Sequence, residues 1–234
     1  MFLRCLVADM CGRYTHLLTW EQVVQLYELT ADLGPPADFL PRYNIAPTQM
    51  APVVRMKDGK RELAMLQWGL IPSWAKDRSI GNRMINARAE SLLEKPAFSS
   101  AFQARRCLVL TGGFYEWRKT PGKPKQPFWI GMKDGGEFDM AGLWEVWRDR
   151  TSREVIESFT IITTDANALA ARIHDRMPVI IDPNDFETWL SAPSPPTKLL
   201  RPYAAEAMEA YPVSTWVNRV AHDDPRCIER VEAS

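Results

Sequence analysis

The sequence predicts an α+β domain built on a mostly antiparallel, barrel-like sheet with flanking helices. Three observations carry that expectation. Short runs rich in β-branched and aromatic residues outnumber the helical patches. Those runs do not alternate regularly with helices, which disfavours a doubly wound parallel sheet. The chain also has no Gly-rich phosphate loop and no dinucleotide fingerprint.

Element by element, Thr19-Trp20-Glu21-Gln22 reads as a capping box and predicts a helix over Trp20–Leu29. Gly34, Pro35, Pro36 and Pro41 then form a connection in which a helix cannot continue. Strands are expected over Ala51–Met56, Leu63–Leu70, Cys107–Leu110 running on to Trp117, Pro127–Met132, Phe138–Trp147 and Ser158–Thr164. Helical patches fall at Ala87–Glu94 and Pro96–Ala104. Asp182-Pro183 opens a helix through Leu190, Lys198–Leu200 begins a short one, and Tyr211–Ser214 reads as a late strand. No internal repeat or low-complexity segment is present.

A length of 234 residues fits one large domain or two small ones, and 46% apolar with 25% charged residues suits a globular fold. The formal net charge is zero, so an anionic partner must be met by a local cluster of Arg and Lys. Nine tryptophans exceed ordinary core needs and suit stacking surfaces. Cys5, Cys11, Cys107 and Cys227 are scattered, with no C-x-x-C and no His at ligand spacing. That pattern argues against a zinc site or a disulfide framework and for a reducing, cytoplasmic setting. The opening nine residues are too short for a signal segment, and no run of about 18 apolar residues exists, so a soluble chain without membrane spans is expected.

Chemistry concentrates in four segments. Met10-Cys11-Gly12-Arg13-Tyr14 offers a second translation start, after which Met10 can be trimmed to leave Cys11 first. Such a residue carries an amine and a thiol together: the amine condenses with an aldehyde and the thiol closes a five-membered thiazolidine. Ile85-Asn86-Ala87-Arg88-Ala89-Glu90 sets an amide and a guanidinium two residues apart. Gly112-Gly113-Phe114-Tyr115-Glu116-Trp117 places an acid among aromatics after a double glycine. Ile173-His174-Asp175-Arg176-Met177-Pro178 flanks one of three histidines with an acid and a base.

Taken together, these segments resemble the SRAP family, the SOS-response-associated peptidases, over nearly the whole chain from Met10 to about Glu229. Tyr43–Thr48, Trp68–Trp74 and the stretch from Val213-Ser214 through Val217-Asn218 belong to the same resemblance. It implies a pseudo-barrel fold and a sensor of abasic sites in single-stranded DNA that crosslinks itself to them. By resemblance, Cys11 is the nucleophile and Asn86 holds its amine and carbonyl. Glu116 is the acid/base at the amine, and desolvation among aromatics would raise its pKa. His174 is the proton donor for sugar-ring opening, a role that suits an imidazole near neutrality. Arg13, Arg88 and Arg176 are expected on phosphates, Pro47 and Trp74 as wedge and stacking residues, and Thr163 on a phosphate or the lesion sugar. The domain is expected over residues 10–229, with 230–234 a polar tail.

In the family the Cys follows the initiator Met, so residues 1–9 are expected to be a misassigned start or a removed extension, released by self-cleavage in the second case. A largely single-turnover activity is implied, peptidase-like toward the chain itself and lyase-like toward DNA. No cofactor or metal is expected, and nothing demands a dimer, so a monomer is. Its place is the cytoplasm, on the nucleoid when bound to DNA. Two other readings remain open. One is an N-terminal-nucleophile cysteine amidase or peptidase that uses Cys11, Asn86 and Glu116 with an oxyanion hole at Gly112-Gly113. The other is a non-covalent single-strand binder carried by Arg and Trp alone.

Overall fold

The computed structural model describes residues 11–29 and 34–232. The expected extension over residues 1–9, and Cys5 with it, lies outside the described residues. In chain order the strands are β1 (Tyr14–His16), β2 (Arg42–Ile45), β3 (Met50–Lys57), β4 (Lys60–Trp68) and β5 (Asn86–Arg88). They continue as β6 (Arg106–Thr111), β7 (Gly113–Arg118), β8 (Gln126–Met132), β9 (Phe138–Arg148) and β10 (Val155–Asp165). The last three are β11 (Arg176–Pro178), β12 (Ile180–Ile181) and β13 (Met208–Pro212). Three α-helices, α1 (Trp20–Tyr27), α2 (Ser99–Ala104) and α3 (Phe186–Ser191), pack around them.

Strands β4, β3, β6, β9 and β10 pair in that order, and β10 returns to β4, closing a five-stranded barrel. Every seam is antiparallel except β10–β4, which is parallel. The expected mostly antiparallel, barrel-like core is therefore present. A second, five-stranded sheet runs β13-β8-β7-β1-β2. Barrel strands are buried on both faces, which is why they read as continuous apolar runs rather than clean alternations. Alternate residues Val53, Val109, Met140 and Ile161 pack with Tyr14, Phe114 and Ile130 of the second sheet. Their neighbours Val54, Leu108, Ala141 and Ile162 pack with Val23, Tyr27, Phe102 and Trp189 of the helices. Each such buried aliphatic or aromatic side chain contributes about 1.5–3 kcal/mol of transfer free energy.

The capping box is formed, with Gln22 N–H on the Thr19 hydroxyl and Thr19 N–H on the Gln22 side chain. The helix ends two residues earlier than expected, because Glu28 turns left-handed at φ 54°. The run expected from Cys107 to Trp117 breaks at Gly112 into β6 and β7, which belong to different sheets. Around Asn86 the reading needs correction: Asn86–Arg88 is a strand followed by a single 3₁₀ turn at Ala89–Ser91, not a helix. Pairing with β10 overrides the local helical pattern there. Short β1, β2, β11 and β12 carried no periodic signal of their own and owe their conformation to their sheet partners. In the expected tail, Arg230 pairs with Glu209, stacks on Tyr211 and bridges to Val213.

Two features of β10 position the site. It is eleven residues long and serves two neighbours on each edge. Along one edge β4 is followed by β5, with Ile161 opposite Asn86 and Thr163 opposite Arg88. Along the other edge β9 is followed by β11, which sets Asp165 opposite Arg176. Residues far apart in sequence thus converge on the C-terminal end of one strand.

Candidate active site

Cys11 lies immediately before β1, where it is buried among Tyr14, Trp68 and Phe114 of the inter-sheet core. Its carbonyl accepts a hydrogen bond from the Asn86 side-chain amide at 3.2 Å. Its backbone N–H hydrogen-bonds the Glu116 carboxylate, which also takes one from Trp117 N–H. Asn86 at the head of β5 and Glu116 in β7 therefore grip the Cys11 backbone from two sheets. One oxygen of each, Asn86 Oδ1 and Glu116 Oε1, is buried without a protein partner. Unsatisfied buried polar atoms are costly, and two of them beside one backbone single this place out as a candidate site.

Burial pushes the Glu116 carboxyl up to about 8, with the negative field of Asp175 adding to the rise. A group balanced there can take and return a proton near neutrality. The Cys11 thiol is also raised well above its ordinary value, first by burial and then by the Glu116 charge. It is a thiol rather than a thiolate, so the amine of a mature Cys11 would be the first nucleophile.

A cleft of about 760 Å³ opens beside this pair and is lined by Gly12, Arg13, Glu116 and His174. His174 follows a 3₁₀ turn at Ala170–Arg172, and its N–H closes that turn on the Ala170 carbonyl at 2.9 Å. Its Nδ1 accepts the Arg176 backbone N–H at 3.1 Å and lies 3.0 Å from Asp175 Oδ1. In the neutral ring the remaining proton therefore sits on Nε2.

The three expected phosphate contacts differ in how far they are committed. Arg13 donates to Asn44 Oδ1 and Val217 O at 2.9 Å and to Asn218 O at 3.4 Å, tying β1 to β2 and to the 3₁₀ turn at Thr215–Asn218. Arg176 forms a bidentate pair with Glu90 and binds Asp165 and the Thr163 carbonyl, while its Nε is buried without a partner. Arg88 is exposed. Thr163 is buried between Arg88 and Pro178 on the ladder, with its hydroxyl unpartnered. Pro47 and Trp74 stand outside the cleft lining. Pro47 is in the turn between β2 and β3, whose Thr48 N–H holds the Trp68 carbonyl at 2.8 Å. Trp74 is 55% exposed in the loop after β4. That loop is anchored by the Trp147 indole on Ala75 O and by the close approach of Gly69 and Gly81, where a side chain on Gly69 would come within 2.6 Å of Gly81 O.

Reasoning from sequence missed Arg118, Lys119, Lys125 and Arg172, which give the cleft a basic wall in a chain of zero net charge. Their adjacency to Glu116 and His174 in sequence was the available signal. It also missed Asn218, which accepts from the Trp117 indole at 2.8 Å. The double glycine needs a second correction. Gly112 N–H is already given to the Thr15 carbonyl at 2.9 Å, and the Trp129 indole lies over Gly113, where a Cβ would meet it at 2.3 Å. These glycines make room for packing, and Gly112 N–H is not free to serve an oxyanion hole. Among the described residues Cys11, Cys107 and Cys227 are buried free thiols, no group of side chains is set to hold a metal, and no helix is long and apolar enough to cross a membrane.

Comparison with known proteins places the chain among relatives of similar sequence and fold. Residues 10–220 match the family model described as SOS response associated peptidase (SRAP). The chain is 40% identical over 224 residues to the abasic site processing protein YoqW of Bacillus subtilis, covering 94% of this chain and 99% of that one. It is 33% identical over 229 residues to the abasic site processing protein HMCES of Gallus gallus, covering 83% of this chain and 67% of that one. A crystal structure of a protein from Bacteroides thetaiotaomicron superposes with a TM-score of 0.86 at 30% identity, covering 95% of this chain and all (100%) of that one. A Bordetella bronchiseptica structure gives 0.73 at 27% identity, with 87% and 100% covered. By sequence and by fold, this chain belongs to the SRAP family.

Proposed function

We propose that this protein processes abasic sites in single-stranded DNA by linking itself covalently to them through Cys11 as its first residue. The observation that carries the reading is the grip on the Cys11 backbone. The nitrogen that would become the α-amine lies on the Glu116 carboxylate, and Asn86 holds the carbonyl of the same residue. The names of the YoqW and HMCES relatives support the lesion as target.

The chemistry follows from those positions. His174 protonates the ring oxygen of the abasic deoxyribose as the ring opens to the aldehyde. Glu116 accepts a proton from the Cys11 ammonium, and the freed amine adds to C1′. Loss of water gives the imine, the thiol adds to the imine carbon, and its proton leaves to solvent as the thiazolidine closes. Each molecule is consumed by one crosslink, which shields the lesion. The same groups would serve release of the segment preceding Cys11, with Cys11 attacking and Glu116 as base. Arg88, Thr163 and Arg176 form the edge along which phosphates would run, and Trp74 with Pro47 would stack on or wedge flanking bases. The amidase reading loses its oxyanion hole, since Gly112 N–H is occupied by Thr15.

The test uses protein beginning at Cys11, verified by intact mass, and a single-stranded oligonucleotide with one abasic site. A covalent adduct stable to reducing agents is expected, and Cys11→Ala abolishes it. Cys11→Ser keeps the amine and yields an adduct only when borohydride traps the Schiff base. A stable Cys11→Ser adduct without borohydride would show that no thiazolidine is needed. Absence of any wild-type adduct would end the reading.

A further inference from the structure

We propose that Asp175 is a positioning residue that holds the proton-donating form of His174 during sugar-ring opening. This rests on the reading above, in which His174 acts on the deoxyribose.

The argument starts from the ring's two nitrogens. The neutral imidazole has its Nδ1 lone pair filled by the Arg176 backbone N–H at 3.1 Å, so its one proton is on Nε2. A neutral Nε2–H can donate a hydrogen bond but cannot surrender the proton without becoming an imidazolate. The form able to give a proton away is the imidazolium, and its second proton must sit on Nδ1. There the Arg176 N–H is no longer complementary, and the nearby acceptor is Asp175 Oδ1 at 3.0 Å. His174 thus has two partners for one atom, one suited to each protonation state, and Asp175 serves the state that does the chemistry.

The step balances as follows. The imidazolium gives its Nε2 proton to O4′ while the C1′–O4′ electron pair passes to that oxygen. The C1′ hydroxyl loses its proton to water and becomes the aldehyde carbonyl. The ring is left neutral with its proton on Nδ1, bonded to Asp175, until it exchanges back. The other charged groups lining the cleft with His174 are Arg13, Glu116, Arg118, Lys119, Lys125 and Arg172. The basic ones oppose a positive ring, so a dedicated carboxylate is needed to retain it. Asp175 also adds to the rise of Glu116, so its charge reaches the second side chain of the proposed chemistry as well.

Asp175→Asn separates this role from DNA binding, because the two respond in opposite directions. Removing a negative charge from the cleft leaves non-covalent capture unchanged or tighter. The alkaline limb of the crosslinking rate against pH moves down by about half a pH unit, the size an exposed ion pair supports. With Asp175 87% exposed at its side chain, the variant is expected to fold normally. In a His174→Ala background Asp175→Asn should leave that limb where it is. A limb that stays put in Asp175→Asn, while wild type crosslinks, overturns the proposal. So does an equal shift with and without His174. Failure of wild type to crosslink overturns instead the function on which it rests.

Discussion

Glu116 and Asp139 are both buried carboxyls, and burial pushes each up to about 8. Asp139 sits in β9 beneath α1, where the Tyr27 hydroxyl donates to its Oδ1 at 2.7 Å. Glu116 sits in β7 at the cleft wall, with one oxygen unpartnered and the other side facing the Cys11 backbone. The same acidity therefore means different things in the two places. At Asp139 it marks a sealed structural contact between a helix and the barrel. At Glu116 it accompanies an unpartnered oxygen on the wall of a cleft, the setting that the proposed proton transfer requires.

Substitutions can break that comparison. The largest effect is expected from Glu116→Gln, which should slow crosslink formation by about 10²–10⁴-fold while leaving DNA capture intact. Equal crosslinking rates for wild type and Glu116→Gln would remove Glu116 from the chemistry. Tyr27→Phe should do the converse: crosslinking persists, and denaturant unfolding shows a loss of about 1–3 kcal/mol as Asp139 is left unpartnered. A drop in crosslinking for folded Tyr27→Phe would mean that the two regions are coupled.

The acidity shifts themselves predict a pH dependence. Glu116 and Asp139, at about 8, and Glu137, raised by burial to about 7, all bind protons more tightly folded than unfolded. Their stabilising contribution is present below the ordinary carboxyl range and is lost as pH rises through about 7–8. Melting temperature should therefore fall between pH 6 and pH 9, conditions chosen to span about a unit either side of those values. Asp139→Asn, which keeps a polar partner for Tyr27, should flatten that fall. The smallest effect concerns Arg88→Ala, which should reduce the log–log salt slope of single-strand capture by about 0.7, one phosphate's worth. An unchanged slope would take Arg88 out of the DNA path.

How much of this was legible in the sequence depended on where each signal resides. The capping box at Thr19 and the long barrel strands are local patterns, and they emerged nearly at their true bounds. The stretch from Ala87 has a local helical pattern, yet it begins as a strand because Asn86, Ala87 and Arg88 pair with Ile161–Thr163, seventy-five residues beyond. Cys11, Asn86, Glu116 and His174 could be named from their motifs, but the direction of each contact could not. Nothing in the sequence said that Arg13 and Arg176 would be engaged by protein partners while Arg88 would be exposed. Adjacency to Glu116 and His174 hinted at Arg118, Lys119, Lys125 and Arg172, but that they form one wall shows only where the β7–β8 turn meets the segment before His174.

The buried Cys11 thiol has a bearing on chemical safety. An N-terminal cysteine in open solution would react with any small aldehyde and with peroxide, and oxidants attack the thiolate form. Here the sulfur is both enclosed and held protonated. The folded protein therefore keeps this thiol in a form that is slow to oxidise. A sulfur held in this form meets an oxidant as the less reactive thiol, so the same burial that shapes the inter-sheet core also protects the residue.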